Sequence, residues 1–310
     1  MYSDMAIKGT VLKIERFAIH DGPGIRTVIF MKGCPLRCGW CSTPESQELS
    51  PEMEYFADRC LRCARCVEVC PVGAISILGN GEIFTDRELC IKCDYQCAEV
   101  CPSGARKIAG EEMTVEEVVE EVEKDTLFYA NSSGGVTLSG GEPAMQPEFS
   151  LGILKACKER GIHTAIETCA YVKWSILDEL LKYLDLVYID IKHMSPEEHE
   201  KLTGKGNELI LENTRRVATK YPDKPLIIRI PVIPGYNDSD ENITDIVQFV
   251  RQLNGDHKIE LLPYHKLGVS QYRVLSRDYP LPDLEPPPEE RMRALEKLVE
   301  SYGIPAQIGG

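Results

Sequence analysis

Residues 33–41, GCPLRCGWC, place cysteines at 34, 38 and 41, the spacing C-x3-C-x2-C. A single tetrahedral metal ion takes four ligands, and no fourth cysteine stands nearby. One solution is a three-cysteine zinc site completed by a distant His20 or His265. The other is a four-iron cluster with one iron left without a protein ligand. An open coordination position is what separates catalytic from structural metal sites. A methionine moiety, with its amino and carboxylate groups, can chelate such an iron. TVIFMKG (27–33) just ahead reads as a β-strand, so the motif sits at a strand's carboxyl end.

The chain has thirteen cysteines, eleven of them between Cys34 and Cys101. An odd, closely spaced set in a chain without an export signal points to metal or cluster ligation rather than disulfides. Two runs repeat, CLRCARCVEVCP (60–71) and CIKCDYQCAEVCP (90–102), followed by VGAI and SGAR. C-x2-C-x2-C-x3-C-P is the bacterial ferredoxin run, whose fourth cysteine ligates the other cluster. On that pattern Cys60, Cys63, Cys66 and Cys101 hold one [4Fe–4S] cluster, and Cys90, Cys93, Cys97 and Cys70 hold a second. The second run carries one extra residue before Cys97, so its loop must bulge. Zinc also takes four thiolates, but the Cys-Pro endings and the duplication favour iron–sulfur. The intervening LGNGEIFTDREL gives an Asn-Gly turn with short flanking β segments. The expected organisation is residues 1–53 as the first part of a barrel, 54–111 as a ferredoxin-like insert with two clusters, and 112–310 as the rest of the barrel.

Beyond the insert, helices and strands alternate. TVEEVVEEVEKDTLFYA (114–130) predicts one helix capped by Thr114. Further helices are expected near 148–160, 174–184 and 288–302. GVTLSG, IHTAIET, LVYIDIK, LIIRIPVI and KIELLPY read as strands, six with TVIFMKG. Apolar strands separated by helices imply a parallel sheet with covered faces. Six units are too few for an eight-fold barrel, so the expected fold is α/β, a partial (β/α)6 TIM-type barrel with an inserted ferredoxin-like iron–sulfur domain. Active residues of such folds lie at the carboxyl ends of the strands. GCPLRCGWC, SGGEP, ET, DIK, PVIPG and LPYH all fall there.

C-x3-C-x2-C resembles the radical S-adenosylmethionine (SAM) superfamily. HDGPGIRTVIFMKGC (20–34), GGVTLSGGEP (134–143), IETCAYV (166–172), YIDIKHM (188–194), RIPVIPGYND (229–238) and LLPYHKLG (261–268) narrow the likeness. In that order they resemble the activating enzymes of glycyl radical enzymes, the group that includes pyruvate formate-lyase activating enzyme. The two-cluster insert is similar to that of the larger members, whose partners act on compounds such as glycerol, choline, isethionate or aromatic acids.

The resemblance implies a function. A reduced [4Fe–4S] cluster on Cys34, Cys38 and Cys41 gives one electron to S-adenosylmethionine. The resulting 5′-deoxyadenosyl radical takes hydrogen from a glycine of the partner glycyl radical enzyme. It also implies a site. Gly140, Gly141 and Glu142 of SGGEP lie against the cofactor, with Glu142 accepting from its ammonium. Asp190, Ile191 and Lys192 meet the methionine end, Arg229 its carboxylate, Trp40 and Ser42 the adenine side, and His265 lies near. Thr168 and Asp190 resemble positions that bind a monovalent cation, although Glu167 stands where short relatives have aspartate. The HDGPG turn would receive the partner's glycine loop. Cys157 and Cys169 fit neither cluster pattern and read as buried small hydrophobes.

The implied cofactors are S-adenosylmethionine and three [4Fe–4S] clusters, the insert pair relaying electrons from a low-potential ferredoxin or flavodoxin or serving structure alone. A net charge of −14 argues against a nucleic-acid partner. No apolar run reaches membrane-spanning length and no signal pattern is seen, so no membrane partner and a cytoplasmic location are expected. Two other functions use the same residues: a radical SAM enzyme acting on a small molecule, and a ferredoxin-type electron-transfer protein. The latter accounts for residues 54–110 but leaves six strand-end motifs without purpose. The sequence does not name the partner enzyme, its substrate or the oligomeric state.

Overall fold

A computed structural model describes residues 2–90 and 93–309. Ile91 and Lys92, within the second cysteine run, lie outside the described residues. The strands are β1 (Lys8–Ala18), β2 (Arg26–Met31), β3 (Glu52–Tyr55), β4 (Ile75–Ile77), β5 (Ile83–Thr85), β6 (Arg106–Ala109), β7 (Glu111–Thr114), β8 (Gly135–Gly140), β9 (His163–Thr168), β10 (Leu186–Asp190), β11 (Leu226–Val232), β12 (Lys258–Pro263) and β13 (Ala306–Ile308).

Among the described residues, nine strands form one sheet in the order β13-β12-β11-β10-β9-β8-β2-β1-β7. From β2 through β8 to β13 every neighbouring pair is parallel. β1 runs antiparallel to both β2 and β7. The six expected strands are therefore present and adjacent in chain order. The two edge strands do not pair, so the sheet is open. β1 and β13 are additions to the expected set. β1 is largely solvent-facing and interleaves charges with its apolar residues, and β13 has only three residues.

Period-two alternation divides the two faces of this sheet. Leu138, Ile166, Val187, Ile189, Ile228, Ile230, Ile259 and Leu261 join the large core shared with the helices. The opposite face carries Ser139, Glu167, Asp190 and Arg229, and register places Asp190 beside Arg229 and Tyr188 beside Glu167. One side is thus closed by helices, while the other gathers charge near the strands' carboxyl ends.

The expected helix over 114–130 is two, Val115–Glu123 and Thr126–Ser132. Thr114 caps the first in a capping box with Glu117. The break has a cause in Asp125, which turns fully inward to accept from Arg16 Nε and Thr27 Oγ1, each at 2.8 Å. The helices at Pro147–Glu159, Trp174–Leu181 and Glu289–Ser301 lie near the expected places. No helix of the described residues is long and apolar enough to cross a membrane.

The segment between β2 and β7 leaves the sheet. β3 pairs antiparallel with β6 and closes its base. β4 and β5 form the hairpin expected around Asn80-Gly81. The short helices Arg65–Glu68 and Gln96–Glu99 carry Cys66 and Cys97, buried together with Cys90, Met53, Ala74, Ile75 and Ile83. Half of this small apolar cluster is cysteine or alanine, too little for a stable core of ordinary side chains.

Candidate active site

The loop after β2 is pinned from three directions. The Gly33 N–H donates to the Ser46 carbonyl at 2.7 Å and the Cys34 N–H to that of Gln47 at 2.9 Å. The N–H groups of Arg37 and Gly39 donate to the Thr203 and Leu202 carbonyls, which seats the cysteine loop on the helix Pro196–Thr203. The Glu142 N–H donates to the Gly33 carbonyl at 2.8 Å, tying the SGGEP turn to the same loop. Gly140 has φ of +105°, where side chains are strained. At Gly141 a Cβ would lie 2.4 Å from the Gly33 carbonyl oxygen and 2.7 Å from that of Ser46.

Beside these turns lies a cavity of about 290 Å³. Cys34, Cys38 and Cys41 line it, as do Trp40, Ser42, Gly140, Gly141, Asp190, Lys192, Arg229 and His265. Two candidates are elsewhere. Ile191 is buried in the helix-side core. Glu142 is 0 % exposed beneath the cavity. Its carboxylate accepts from Thr168 Oγ1 at 2.8 Å, the Cys169 N–H at 2.8 Å and the Ala144 N–H at 3.0 Å. Three protein donors hold Glu142, which locks the β8 turn to the end of β9 and does not line the cavity. Cys157 is buried in the core as expected. Cys169 extends the simple reading: it is buried as expected, and it lines the cavity together with Cys34. Glu167, Ser46 and Gln47 also line the cavity. Alternation along β9 could have pointed to Glu167, which shares a face with Ala165, but no local signal marks Ser46 or Gln47.

A charge network spans three strand ends. Lys192 Nζ donates to Asp190 Oδ2 at 2.8 Å, Arg229 Nε to Asp190 Oδ1 at 3.1 Å, and Arg229 Nη1 to Glu167 Oε1 at 2.6 Å. Ser139 Oγ donates to Glu167 Oε2 at 2.6 Å. Burial opposes the charges of Asp190, Lys192 and Arg229, yet their partners win. Asp190 is held below the carboxylate range by Lys192 and Arg229, while Lys192 and Arg229 are raised by their carboxylates.

The cysteine thiols differ from one another. Burial pushes Cys38 up to about 12 and Cys41 up to about 11. The hydrogen bond from Cys169 holds Cys34 below the ordinary thiol range. Among the described residues no group of three or more His, Cys, Asp or Glu side chains is gathered as for a metal ion. The three thiols are instead spread around a cavity, a donor set that fits a larger thiolate-bound cluster. In the insert, a second cavity is lined by Cys60, Cys63, Cys66 and Cys101, together with Tyr55, Ile83 and Arg106. Cys90 and Cys97 are buried in one small cluster with Cys66, against which Cys60 and Cys70 pack. The fourth cysteine of the second run, Cys101, thus shares a cavity with three cysteines of the first.

Glu45, on the turn Pro44–Ser46 behind the cysteine loop, is buried with Oε2 unpartnered among the described residues. Burial raises its pKa from 4.5 to about 7. Because the folded value lies above the unfolded one, stability from this group is full below about pH 4.5 and is lost as pH rises through about 7. Glu45→Gln is expected to flatten that dependence, stabilising the protein at pH 8 by up to about 3 kcal/mol. Denaturant midpoints at pH 5 and pH 8 check it; equal pH dependence in both proteins would refute it.

Comparison with known proteins places this site. Residues 28–247 match the model of the radical SAM superfamily. The chain belongs to the radical SAM superfamily. Similar curated proteins span almost all of it. The isethionate sulfite-lyase activating enzyme of Nitratidesulfovibrio vulgaris is 44% identical, covering 96% of this chain and 97% of its own. The (2S)-3-sulfopropanediol sulfolyase activating enzyme of Bilophila wadsworthia is 45% identical, covering 95% and 97%. The indoleacetate decarboxylase activating enzyme of Tractidigestivibacter scatoligenes is 38% identical, covering 97% of each. Within the radical SAM superfamily, the chain is therefore one of the activating enzymes of glycyl radical enzymes.

Proposed function

We propose that this radical SAM activating enzyme installs a glycyl radical on its partner through the cavity at the ends of β2 and β8–β12, and that the insert carries two further [4Fe–4S] clusters. The observation that carries the first part is the convergence of Cys34, Cys38 and Cys41 with Gly140, Gly141, Asp190, Lys192 and Arg229 on one cavity. When bound, a cluster held by those three cysteines supplies one electron to S-adenosylmethionine, and the 5′-deoxyadenosyl radical so released takes hydrogen from a glycine α-carbon.

The chain's own groups do the positioning. The side-chain-free edge at Gly140 and Gly141 lets backbone approach the ligand. Asp190 accepts from an ammonium, while Lys192 and Arg229 neutralise a carboxylate. Trp40 offers a ring face to adenine, with Ser42 and His265 on the same wall. The network of Glu167, Asp190, Lys192 and Arg229 holds these groups in place before the ligand arrives. A monovalent cation at Thr168 and Asp190 carries no step here.

For the insert, a ferredoxin-like domain receiving electrons from a low-potential ferredoxin or flavodoxin is supported by the placement of Cys101 with Cys60, Cys63 and Cys66. The insert is also joined to the barrel. Arg87 donates to the carbonyls of Met53 and Val274, and Tyr95 Oη donates to that of Pro51. The cytosol, where thiols stay reduced, suits such ligation. Because the relatives of higher identity named above activate carbon–sulfur lyases, a glycyl radical enzyme of that class is the first partner to test. Anaerobic reconstitution is expected to give about twelve irons per chain. With S-adenosylmethionine, a reductant and that partner, a glycyl radical signal and 5′-deoxyadenosine are expected together. 5′-Deoxyadenosine formed only with a metabolite, and never with a glycyl radical protein, would overturn the proposal.

A further inference from the structure

The two cysteine runs end alike, in Cys70-Pro71-Val72-Gly73-Ala74-Ile75 and Cys101-Pro102-Ser103-Gly104-Ala105-Arg106. Both last residues are buried, Ile75 at 3 % exposure and Arg106 at 2 %. One half of the repeat therefore buries an isoleucine where the other buries a guanidinium. Such a burial carries a large penalty unless the charge is paired and hydrogen-bonded.

Arg106 has few partners within the protein. Nη2 donates to Thr85 Oγ1 at 2.9 Å, and the guanidinium lies 4.7 Å from the Tyr55 ring centroid. No carboxylate forms an ion pair with it among the described residues. Nε and Nη1 are buried and have no acceptor there. The cavity Arg106 lines is walled by Cys60, Cys63, Cys66 and Cys101. Four sulfur atoms are among the acceptors on that wall, with the hydroxyls of Tyr55 and Ser103. Arg87, on the side of Cys90, differs in degree: both of its Nη groups donate to backbone carbonyls, and its Nε alone lacks an acceptor among the described residues.

We propose, on the two-cluster reading given above, that Arg106 is a positioning and charge-compensating residue whose unpartnered Nε and Nη1 donate to the sulfurs of the cluster on Cys60, Cys63, Cys66 and Cys101. Cluster potentials follow net charge, hydrogen bonds to sulfur and exposure. Reduction adds one negative charge to the cluster, and a fixed buried cation with two donors favours the reduced form. Arg106 thereby raises the potential of that cluster above the value that an isoleucine, as at Ile75, would leave. The two halves of a duplicated unit become unequal electron carriers.

The experiment uses the full chain with Cys34, Cys38 and Cys41 replaced by alanine, so that only insert clusters titrate. Reduced fractions are followed by electron paramagnetic resonance against applied potential, and Cys63→Ala assigns the two signals. Arg106→Gln and Arg106→Ile are expected to keep about eight irons. In both, the reduced fraction of the Cys60 cluster at fixed potential falls about tenfold, equivalent to about 59 mV for a one-electron couple. The second cluster moves less, and Arg106→Lys restores most of the difference. Iron lost from that cluster in the Gln and Ile variants but kept in the Lys variant also supports the charge role. Potentials unmoved with iron retained, equal shifts of both clusters, or iron lost in all three variants would overturn it. A parent chain binding no insert iron would instead overturn the two-cluster reading.

Discussion

Cys38→Ala is expected to lower bound iron from about twelve to about eight atoms per chain and to abolish 5′-deoxyadenosine formation. The three cysteines are not equivalent before the cluster binds. Cys38 and Cys41 sit in surroundings that disfavour a bare thiolate, and Cys34 is tied to Cys169. Lys192 faces Cys38 and favours its anion, though less than burial opposes it. A cluster with only two protein ligands in this cavity loses its anchoring to the loop, which the backbone bonds to Ser46, Gln47, Leu202 and Thr203 hold in one conformation. The loss of turnover should exceed the roughly 10–100-fold effects typical of outer partners of a metal site. Cys157→Ala is the control. Cys157 is buried in the helix-side core away from the cavity, so the variant should lose stability of about 1 kcal/mol and keep its iron and turnover. Undiminished 5′-deoxyadenosine from Cys38→Ala would remove the basis for the site.

The parallel strands were legible because each is an apolar run followed by a chemically distinctive end. Their carboxyl-terminal motifs marked both the fold and the cavity. The charged β1, next to the edge strand β7, and the three-residue edge strand β13 were not legible, since neither has the continuous apolar run that identifies a strand buried on both faces. The break at Asp125 depends on Arg16 and Thr27, about a hundred residues away in the chain, and no local window contains it. The site shows the same division. Spacing identified the thiols and alternation placed Asp190 and Arg229 on the inner face. Glu142 was expected against the cofactor because a carboxylate in a glycine-rich turn reads as a ligand group, whereas Thr168 and Cys169 hold it. Cys169 was legible only in part: burial is the ordinary fate of a free cysteine, and only the approach of β9 to the cysteine loop puts it on the cavity wall with Cys34.

Gly141→Ala carries the second large expected effect. One added methyl would meet two backbone carbonyl oxygens, of Gly33 and Ser46, far inside contact distance. Neither oxygen belongs to a flexible side chain that could swing away, so the turn and the cysteine loop must separate. That separation strains the Glu142 N–H bond to Gly33 and the Gly33 N–H bond to Ser46, the two links that set the loop's distance from β8. Overpacking of this kind typically costs about 1–3 kcal/mol. Its functional effect is larger, because displaced positioning groups act on every ligand contact at once. Affinity for S-adenosylmethionine is expected to fall at least about tenfold, equivalent to about 1.4 kcal/mol, while the insert keeps its iron. Gly161→Ala separates this from general destabilisation. Gly161 also has a positive φ, +69°, so alanine there is strained, but nothing lies within 4 Å of its added Cβ. It should lower the unfolding midpoint and leave S-adenosylmethionine affinity unchanged. Equal binding by Gly141→Ala and the parent protein, measured anaerobically by equilibrium dialysis, would show that the close approach of turn and loop does not shape the ligand site.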